Sequence, residues 1–260
     1  MRSMFEYLAV FFAVLLVVKA QDSTGANTVP PDDEEVGTTC PVITQTTEGT
    51  TTTTEASEPN TICSDNDGMN DALRNASLEL HNQKRAELAS GNTAMGSAGT
   101  KMRKANNMPE LEIDCDLEKT ALEEAQKCEE TDDLTGREFN MKMVEGATDL
   151  AEAQNKALEE WWNEITKDPV IDQIQNLYYD HSLKQHFSKM ATDKTKKVGC
   201  AAVKCDKGVR VVCKYEGILK NGEKIYNMGP TCKQCSAGAG MADCQAEPYP
   251  GLCPAKYYSS

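Results

Sequence analysis

Apolar residues recur at helical spacing in three stretches of the chain. The apolar positions are Leu73, Leu80 and Leu88 in the first stretch, Leu117, Ala121, Ala125 and Cys128 in the second, and Leu150, Ala153, Ala157, Trp161 and Ile165 in the third. This spacing predicts helices over residues 69–90, from Asp114 or Asp116 onward, and over residues 148–165. Glu164 lies at the margin of the third stripe, where a buried carboxylate is costly unless a polar group meets it.

The hydrophobic period then shortens to that of β-strands. Residues 198–205 and 208–215 read as two strands joined by a turn at Asp206 and Lys207. A turn centred between these two residues places Cys200 opposite Cys213, and directly opposed residues lie about 4.5–5.5 Å apart at Cα. That distance is within disulfide reach, so the strand register alone predicts a Cys200–Cys213 bridge.

The first twenty residues have the layout of a signal peptide. Arg2 precedes an apolar run over residues 7–18, and Ala20 is a small residue of the kind found at cleavage sites. The run is too short to span a bilayer, and no other stretch approaches that length. We therefore expect residues 1–20 to direct secretion and the mature chain to be extracellular, with no membrane span.

Residues 21–62 differ in composition from the rest of the chain. They contain eight acidic residues and no Lys or Arg, and ten of the seventeen residues over 38–54 are threonine. With almost no large apolar side chains this segment cannot offset the entropy of ordering it, so we expect a disordered acidic tail. The Thr-rich composition is typical of a mucin-type O-glycosylated stalk, and an unmodified flexible tail is the alternative.

Charge and cysteine content narrow the class of protein further. The chain has 27 Lys and Arg against 41 Asp and Glu, a formal charge of −14, which argues against nucleic-acid partners. Its eleven cysteines indicate a disulfide framework made in an oxidising compartment. Because eleven is odd, at least one cysteine has no partner within the chain.

Four of the cysteines lie close together near the C-terminus. They are Cys232, Cys235, Cys244 and Cys253, set among Gly, Ala and Pro. Their spacing matches a zinc ribbon poorly, so we favour two disulfides over a bound metal. Residues 229–260 are therefore predicted to form a small disulfide-stapled extension with little core of its own.

Five short motifs follow one another along residues 63–260. They are residues 81–85 (His-Asn-Gln-Lys-Arg), 107–118 with 125–128 (Ala-Gln-Lys-Cys), 161–164 (Trp-Trp-Asn-Glu), 186–190 (His-Phe-Ser-Lys-Met), and 212–215 (Val-Cys-Lys-Tyr) with Asn221 and Tyr226. Together they resemble the superfamily of cysteine-rich secretory, antigen 5 and pathogenesis-related proteins (the CAP or SCP domain). Within it, the nematode activation-associated secreted proteins, which are venom allergen-like, are the most similar. The resemblance places the domain at residues 63–228 and a hinge-like Cys-rich extension at 229–260.

The resemblance implies an α+β fold, a three-layer α-β-α sandwich with a central antiparallel sheet. It also implies a set of disulfides, namely Cys128–Cys205, Cys200–Cys213, Cys232–Cys244 and Cys235–Cys253, with Cys63–Cys115 completing ten cysteines. Cys40, within the tail, is then left over. An exposed unpaired thiol in a secreted protein invites intermolecular pairing, so we predict a Cys40-linked dimer in a fraction of molecules.

A cleft is also implied, built in the family from two histidines and two glutamates that bind a divalent metal in several members. His186 and Glu164 match one residue of each type. Glu138 is the better match for the second glutamate, and Glu145 is the alternative. No histidine follows Cys128, where the family has its first histidine. We therefore expect no resident cofactor and no tight zinc site. A divalent cation bound weakly by His186 and Glu164 is the alternative.

Catalytic motifs are missing around these residues. The chain has no Gly-x-Ser-x-Gly, Walker loop or His-Glu-x-x-His. A histidine and a glutamate such as His186 and Glu164 more commonly form a structural hydrogen bond. Less often the histidine is a general base for a serine nucleophile and the glutamate orients it. His181 is spaced poorly for a second ligand on one helix face and is interpreted as a surface residue. Asn75 begins an Asn-Ala-Ser sequon, either N-glycosylated or left as plain helix surface.

These observations predict a secreted protein that is not an enzyme. By resemblance to the nematode proteins, it would be a parasite factor that binds a host protein or cell-surface receptor and modulates immunity. The first alternative is a lipid or sterol carrier with an apolar groove between helices. The second is a hydrolase, for which the sequence names no nucleophile.

Overall fold

The computed structural model describes residues 59–129, 137–235 and 240–257 of the chain. The chain divides into two units, Met1–Thr53 and Thr54–Ser260, and every described residue belongs to the second. The predicted signal peptide, most of the predicted acidic tail and Cys40 lie outside the described residues. What we predict for them, including the Cys40-linked dimer, stays a prediction.

Polar caps start the three long helices close to the predicted positions. The helices are α1 (Asp71–Ala89), α2 (Cys115–Ala125), α3 (Leu150–Trp162), α4 (Gln185–Ala191) and the short α5 (Met241–Cys244). Asn70, Asp114 and Asp149 each accept a hydrogen bond from a backbone N–H of the first turn of α1, α2 and α3. A 3-10 helix, Asn163–Thr166, follows α3 directly and carries Glu164. None of the described helices is long and apolar enough to cross a membrane.

The central sheet has four strands in the order β3-β5-β6-β4. The strands are β1 (Ala94–Met95), β2 (Thr100–Lys101), β3 (Glu112–Ile113), β4 (Phe139–Glu145), β5 (Lys197–Cys205) and β6 (Gly208–Tyr215), and β1 with β2 forms a separate pair. The β5–β6 hairpin pairs Cys200 with Cys213, as the turn predicts. β4, β6 and β5 are antiparallel, whereas the two-residue edge strand β3 runs parallel to β5.

Helices cover both faces of this sheet. α2 packs against β5 and β6, while α3 and α4 lie with α1 on the other side. Side chains of β5 alternate accordingly, because Ala201 belongs to the cluster under α2 and Ala202 to the main core with Trp161 and Phe187. The three-layer α-β-α arrangement is confirmed.

The close approach of α2 to β5 depends on a glycine. A Cβ added to Gly199 would lie 2.0 Å from the backbone nitrogen of Glu118 in α2, far inside contact distance. The backbone of α2 therefore rests directly on β5 at this point.

Five disulfides stabilise the unit, and their pairs are those that the resemblance implies. They are Cys63–Cys115, Cys128–Cys205, Cys200–Cys213, Cys232–Cys244 and Cys235–Cys253. The C-terminal extension is bonded to the body of the domain, since Cys253 N donates to Met108 O at 2.7 Å. Leu252 of the extension lies in the main core. The extension therefore does not stand apart from residues 63–228.

The start of the ordered chain differs from the prediction by a few residues. The Thr61 and Ile62 N–H groups donate to the Asp71 carboxylate, and Asp71 N donates to Pro59 O at 2.8 Å. Residues 59–62, which we assign by composition to the disordered tail, are thus held against the start of α1. Composition averaged over a segment misses such an anchor at its end.

Candidate functional site

A cleft of about 290 Å³ opens where the end of α3, the 3-10 helix and α4 meet β4. Seven residues line it: Lys142, Glu160, Trp161, Asn163, Glu164, Lys167 and His186. Only the tryptophan is apolar. The cleft therefore suits a polar ligand better than a sterol or an acyl chain.

His186 and Glu164 form the centre of this cleft. The His186 Nδ1–H donates to Glu164 Oε1 at 2.5 Å, and the backbone N–H of Phe187 donates to Glu164 Oε2 at 3.0 Å. The imidazole lies parallel to the indole of Trp161, with ring centroids 5.5 Å apart. Both oxygens of Glu164 thus accept hydrogen bonds from the start of α4. These bonds offset the desolvation of a carboxylate at the margin of the apolar stripe.

A hydrogen-bonded chain holds the backbone of His186 from beneath. Asn140 Nδ2 of β4 donates to His186 O at 3.1 Å and to Tyr215 Oη at 3.2 Å. Tyr215 Oη lies 3.1 Å from His81 Nε2, and His81 Nδ1 lies 2.7 Å from Ser77 O. Because a carbonyl only accepts, His81 carries its proton on Nδ1 and accepts from the tyrosine at Nε2. Burial lowers the pKa of His81 to about 4, which keeps this imidazole neutral.

Two lysines on neighbouring elements face the same region. Lys189 of α4 is buried, its Nζ donates to Phe139 O at 3.2 Å, and burial lowers its pKa to about 8 while the Glu164 carboxylate opposes the shift. Lys142 of β4 forms an ion pair with Glu160 of α3 at 2.9 Å. The second carboxylate of the cleft therefore also has a basic partner.

The His-Asn-x-x-Arg motif of α1 is structural. Asn82 exchanges hydrogen bonds with Leu111, donating to its carbonyl at 3.1 Å and accepting from its N–H at 2.8 Å. The Arg85 guanidinium donates to the carbonyls of Met190 and Thr192 at 2.8 Å each, at the end of α4. The motif thus anchors α4, the helix that carries His186.

The two candidates for the second glutamate do not line this cleft, and a binding role for either stays a prediction. Glu138 is exposed just before β4, and Glu145 is exposed at the far end of that strand; neither lines the cleft. The β4 position that does reach the cleft is Lys142, whose side chain lies on the same strand face as Asn140. Glu145 is five residues after Asn140 and lies on the other face of β4, whereas Glu138 precedes the strand, so neither reaches the cleft.

The remaining predicted residues lie outside the cleft. His181 is on the surface, with 81% of its side chain exposed. Asn75 is an exposed residue of α1, so its glycosylation stays a prediction. The sequence reasoning missed Lys142, Glu160, Asn163 and Lys167. Polar residues at alternate positions of 139–145 mark one face of a strand, and this pattern is the signal that identifies Lys142.

The cleft residues do not fit a zinc site. Structural and catalytic zinc ions take three or four protein ligands, and here only His186 and Glu164 meet. Within the described ranges, groups of three candidate ligands occur at His81 with Cys200 and Cys213, and at Cys232, Cys235 and Cys244. These cysteines are disulfide-bonded. The imidazole of His186 and the carboxylate of Glu164 already form a hydrogen bond with each other. The cleft would therefore bind a metal ion only weakly.

Among the described residues, no serine is aligned with the imidazole for nucleophilic catalysis. His186 Nε2 is buried and has no hydrogen-bond partner among the residues that the structure describes. A Ser-His pair requires the hydroxyl within hydrogen-bond reach of the base. His186 and Glu164 therefore have the geometry of a structural pair.

Comparisons with known proteins agree with this architecture. The family model for the cysteine-rich secretory protein family (CAP) matches residues 78–215. Ancylostoma secreted protein of Ancylostoma caninum is 33% identical over 192 residues, which cover 70% of this chain and 45% of that protein. Hookworm platelet inhibitor 1 of the same species is 30% identical over 182 residues, covering 69% and 82%.

Solved structures of such proteins superpose on the chain. Na-ASP-1 matches with a TM-score of 0.66 at 29% identity, covering 76% of this chain and 51% of that one. NaASP2 with Zn²⁺ matches with a TM-score of 0.59 at 26% identity, covering 72% and 97%. The chain spans about half the length of Ancylostoma secreted protein and of Na-ASP-1. The family match, the identities and the shared fold together show that the chain belongs to the cysteine-rich secretory protein (CAP) family.

Proposed function

We propose that the protein is a secreted, non-enzymatic parasite factor that binds a host protein or cell-surface receptor and thereby modulates host immunity. The observation that carries this proposal is a loop that begins at the cleft residue Lys167 and exposes several large apolar side chains. Four exposed apolar side chains, Val170, Ile174, Tyr179 and Leu183, lie in the segment between the 3-10 helix and α4. We call this segment, residues 167–184, the apolar loop.

The apolar loop exposes more hydrophobic surface than isolated surface residues would. Ile174 is 79% exposed and Leu183 is 73% exposed. The loop holds four of the seven large hydrophobic side chains that are exposed in the described part of the chain. Apolar side chains gathered in one exposed segment are typical of protein-binding surfaces, because burying them on association is favourable.

The backbone of the apolar loop is held in place. Asn176 is buried, its Nδ2 donates to Tyr226 O at 3.1 Å, and Ile225 N donates to Asn176 O at 2.9 Å. Tyr178 N donates to Glu223 O at 2.8 Å. A binding surface on a fixed backbone loses less entropy on association, which supports a recognition role.

The relatives support the same class of function. The names Ancylostoma secreted protein and hookworm platelet inhibitor 1 describe a secreted protein and a protein that acts on a host cell type. Secretion of this chain is proposed from its predicted signal peptide and from these relatives. The lipid or sterol alternative needs an apolar groove between helices, which the polar cleft does not supply, and the unaligned His186 Nε2 argues against the hydrolase. A weakly held divalent cation remains compatible with His186 and Glu164.

The test is binding of fluorescently labelled full-length protein to mammalian leukocytes and platelets, measured by flow cytometry. An Ile174→Ser, Leu183→Ser variant should bind about tenfold more weakly or worse, because central apolar contacts dominate protein interfaces. The matched control is Ile218→Ser, Met241→Ser, which removes two exposed apolar side chains elsewhere and should bind like wild type. Wild-type protein that binds neither cell type nor any plasma protein would overturn the proposal, as would a variant that binds normally.

A further inference from the structure

A second cavity, larger than the cleft, lies between two segments distant in sequence. Its volume is about 700 Å³, and it is lined by residues of the segments 102–104 and 228–231 together with Gly91. We call it the basic groove. A cavity of this size is in the range of ligand-binding sites, about 300–1,000 Å³.

The charges of the basic groove are of one sign. Arg103 and Lys104 line it and are exposed, and no Asp or Glu is among its lining residues. In the described part of the chain neither side chain forms an ion pair with a carboxylate. Lys101 adds a third cation nearby, since its Nζ donates to the carbonyl of Asn92, the residue after Gly91.

This absence of carboxylates is unusual for such an acidic molecule. The chain carries a formal charge of −14. The cleft contains Glu160 and Glu164, and a third cavity, near the C-terminal extension, contains Glu110, Asp243 and Glu247. A cavity whose cations lack an internal partner offers them to an anion from outside.

The backbone that carries these cations is fixed by the facing segment. Gly229 N donates to Lys104 O at 2.9 Å, Tyr226 Oη donates to Arg103 O at 2.8 Å, and Asn106 N donates to Asn227 O at 3.0 Å. The two walls of the groove are therefore pinned to each other. Such preorganisation reduces the entropic cost of binding a ligand between them.

A glycine sets the position of the Lys104 side chain. Gly91 has φ of +75°, and a Cβ added there would lie 2.9 Å from Lys104 Cγ. The aliphatic part of Lys104 therefore passes across the bare backbone of Gly91, and its ammonium group stays at the solvent-facing side of the groove.

The rest of the lining is apolar enough to contact a carbon skeleton. Met102, Met228 and Pro230 contribute carbon and sulfur atoms beside the two cations. An inorganic ion would leave these atoms without contacts, whereas a sugar ring presents C–H faces to them and its sulfate groups to the cations. The guanidinium group can pair with a sulfate through two parallel hydrogen bonds. The overall negative charge repels long polyanions, which favours a short anionic segment.

We propose that the basic groove binds a short sulfated oligosaccharide, with Arg103 and Lys104 on its sulfate groups. The ligand class follows from unpaired cations, an apolar floor and a pinned backbone in one cavity. The groove shares no lining residue with the cleft, and it adjoins the apolar loop, since Gln173 Nε2 of that loop donates to Lys101 O at 3.3 Å. It gives the protein a second binding function, toward sulfated glycans outside cells.

The test is isothermal titration calorimetry of the full chain with a heparin-derived tetrasaccharide at low and physiological salt. Wild type should bind, with affinity falling as salt rises. An Arg103→Gln, Lys104→Gln variant should bind at least about tenfold more weakly, since each charge-assisted hydrogen bond contributes more than a neutral one. The matched control, Lys119→Gln, Lys156→Gln, removes the same charge from exposed helix positions and should bind like wild type.

Two further probes separate the possible ligands. A desulfated tetrasaccharide should bind far more weakly, and inorganic sulfate alone should bind weakly because it leaves the apolar floor uncovered. Inorganic sulfate as tight as the tetrasaccharide would overturn the sugar assignment. No measurable binding of the tetrasaccharide by wild type, or equal binding by the groove variant, would overturn the proposal as a whole.

Discussion

The cleft and the basic groove treat their charged residues in opposite ways. In the cleft, Glu164 pairs with His186 and Glu160 pairs with Lys142. In the groove, the Arg103 and Lys104 cations have no carboxylate in the lining. The cleft resembles a metal site by its residue types, yet its carboxylates are committed to neighbours. Pairing separates the two cavities except at Lys167 of the cleft, which has no carboxylate partner in the described part of the chain. We expect pairing, and not the mere presence of charged residues, to decide which cavity binds an anion.

The largest effect should come from breaking the central pair of the cleft. Glu164→Ala leaves the Phe187 N–H and the His186 Nδ1–H without their acceptor, so we expect a loss of about 3 kcal/mol in the free energy of unfolding. Denaturant titration measures it. The control, Glu160→Ala, removes a carboxylate of the exposed Lys142 pair and should cost less than about 1 kcal/mol. Equal losses of unfolding free energy in the two variants would contradict the expected difference between the two pairs.

A comparable effect, reached in full only near pH 4, should appear as acid sensitivity of the hydrogen bonds beneath His186. The folded protein keeps His81 neutral down to about pH 4, whereas the unfolded chain protonates it below about pH 6.5. Stability from this group is therefore present above pH 6.5 and is lost as pH falls toward 4, by up to about 3 kcal/mol. NMR titration of the His81 ring protons reports its pKa directly. A midpoint near 6.5 would contradict the buried neutral state.

The smallest effect should come from converting the cleft toward the groove. Glu160→Gln frees Lys142 from its carboxylate, so the cleft should gain affinity for inorganic sulfate, by up to about fivefold. The measurement is best made in an Arg103→Gln, Lys104→Gln background, where the groove contributes little. If freeing Lys142 leaves sulfate affinity unchanged, pairing is not what closes the cleft to anions.

Local patterns predicted much of the fold. The cap at Asp114, one of the two predicted starts of α2, and the turn at 206–207 are short-range features that lie where the spacing places them. The apolar stripe of the third helix is also present, although α3 ends at Trp162 and Ile165 lies in the 3-10 helix. The Cys200–Cys213 pair follows from turn geometry alone. Glu164 and His186, assigned by resemblance, do meet.

Features that depend on distant segments were not predictable in the same way. β4 carries the polar residues Asn140 and Lys142 on the face directed toward α3 and α4. Its sequence therefore lacks, on that covered face, the apolar alternation of a half-buried strand, and its pairing with β6 is what identifies it as a strand. The basic groove joins Arg103 and Lys104 to residues 228–231 only through tertiary hydrogen bonds, and no local spacing signals it.

The most direct test of the central claim is a calorimetric comparison of two double variants with the heparin-derived tetrasaccharide. One is the groove variant, Arg103→Gln, Lys104→Gln, and the other is the cleft variant, Lys142→Gln, Lys167→Gln, which removes the same charge. We predict at least about a tenfold loss of affinity in the groove variant and wild-type affinity in the cleft variant. Equal losses, or a larger loss in the cleft variant, would contradict the claim that pairing decides which cavity binds an anion.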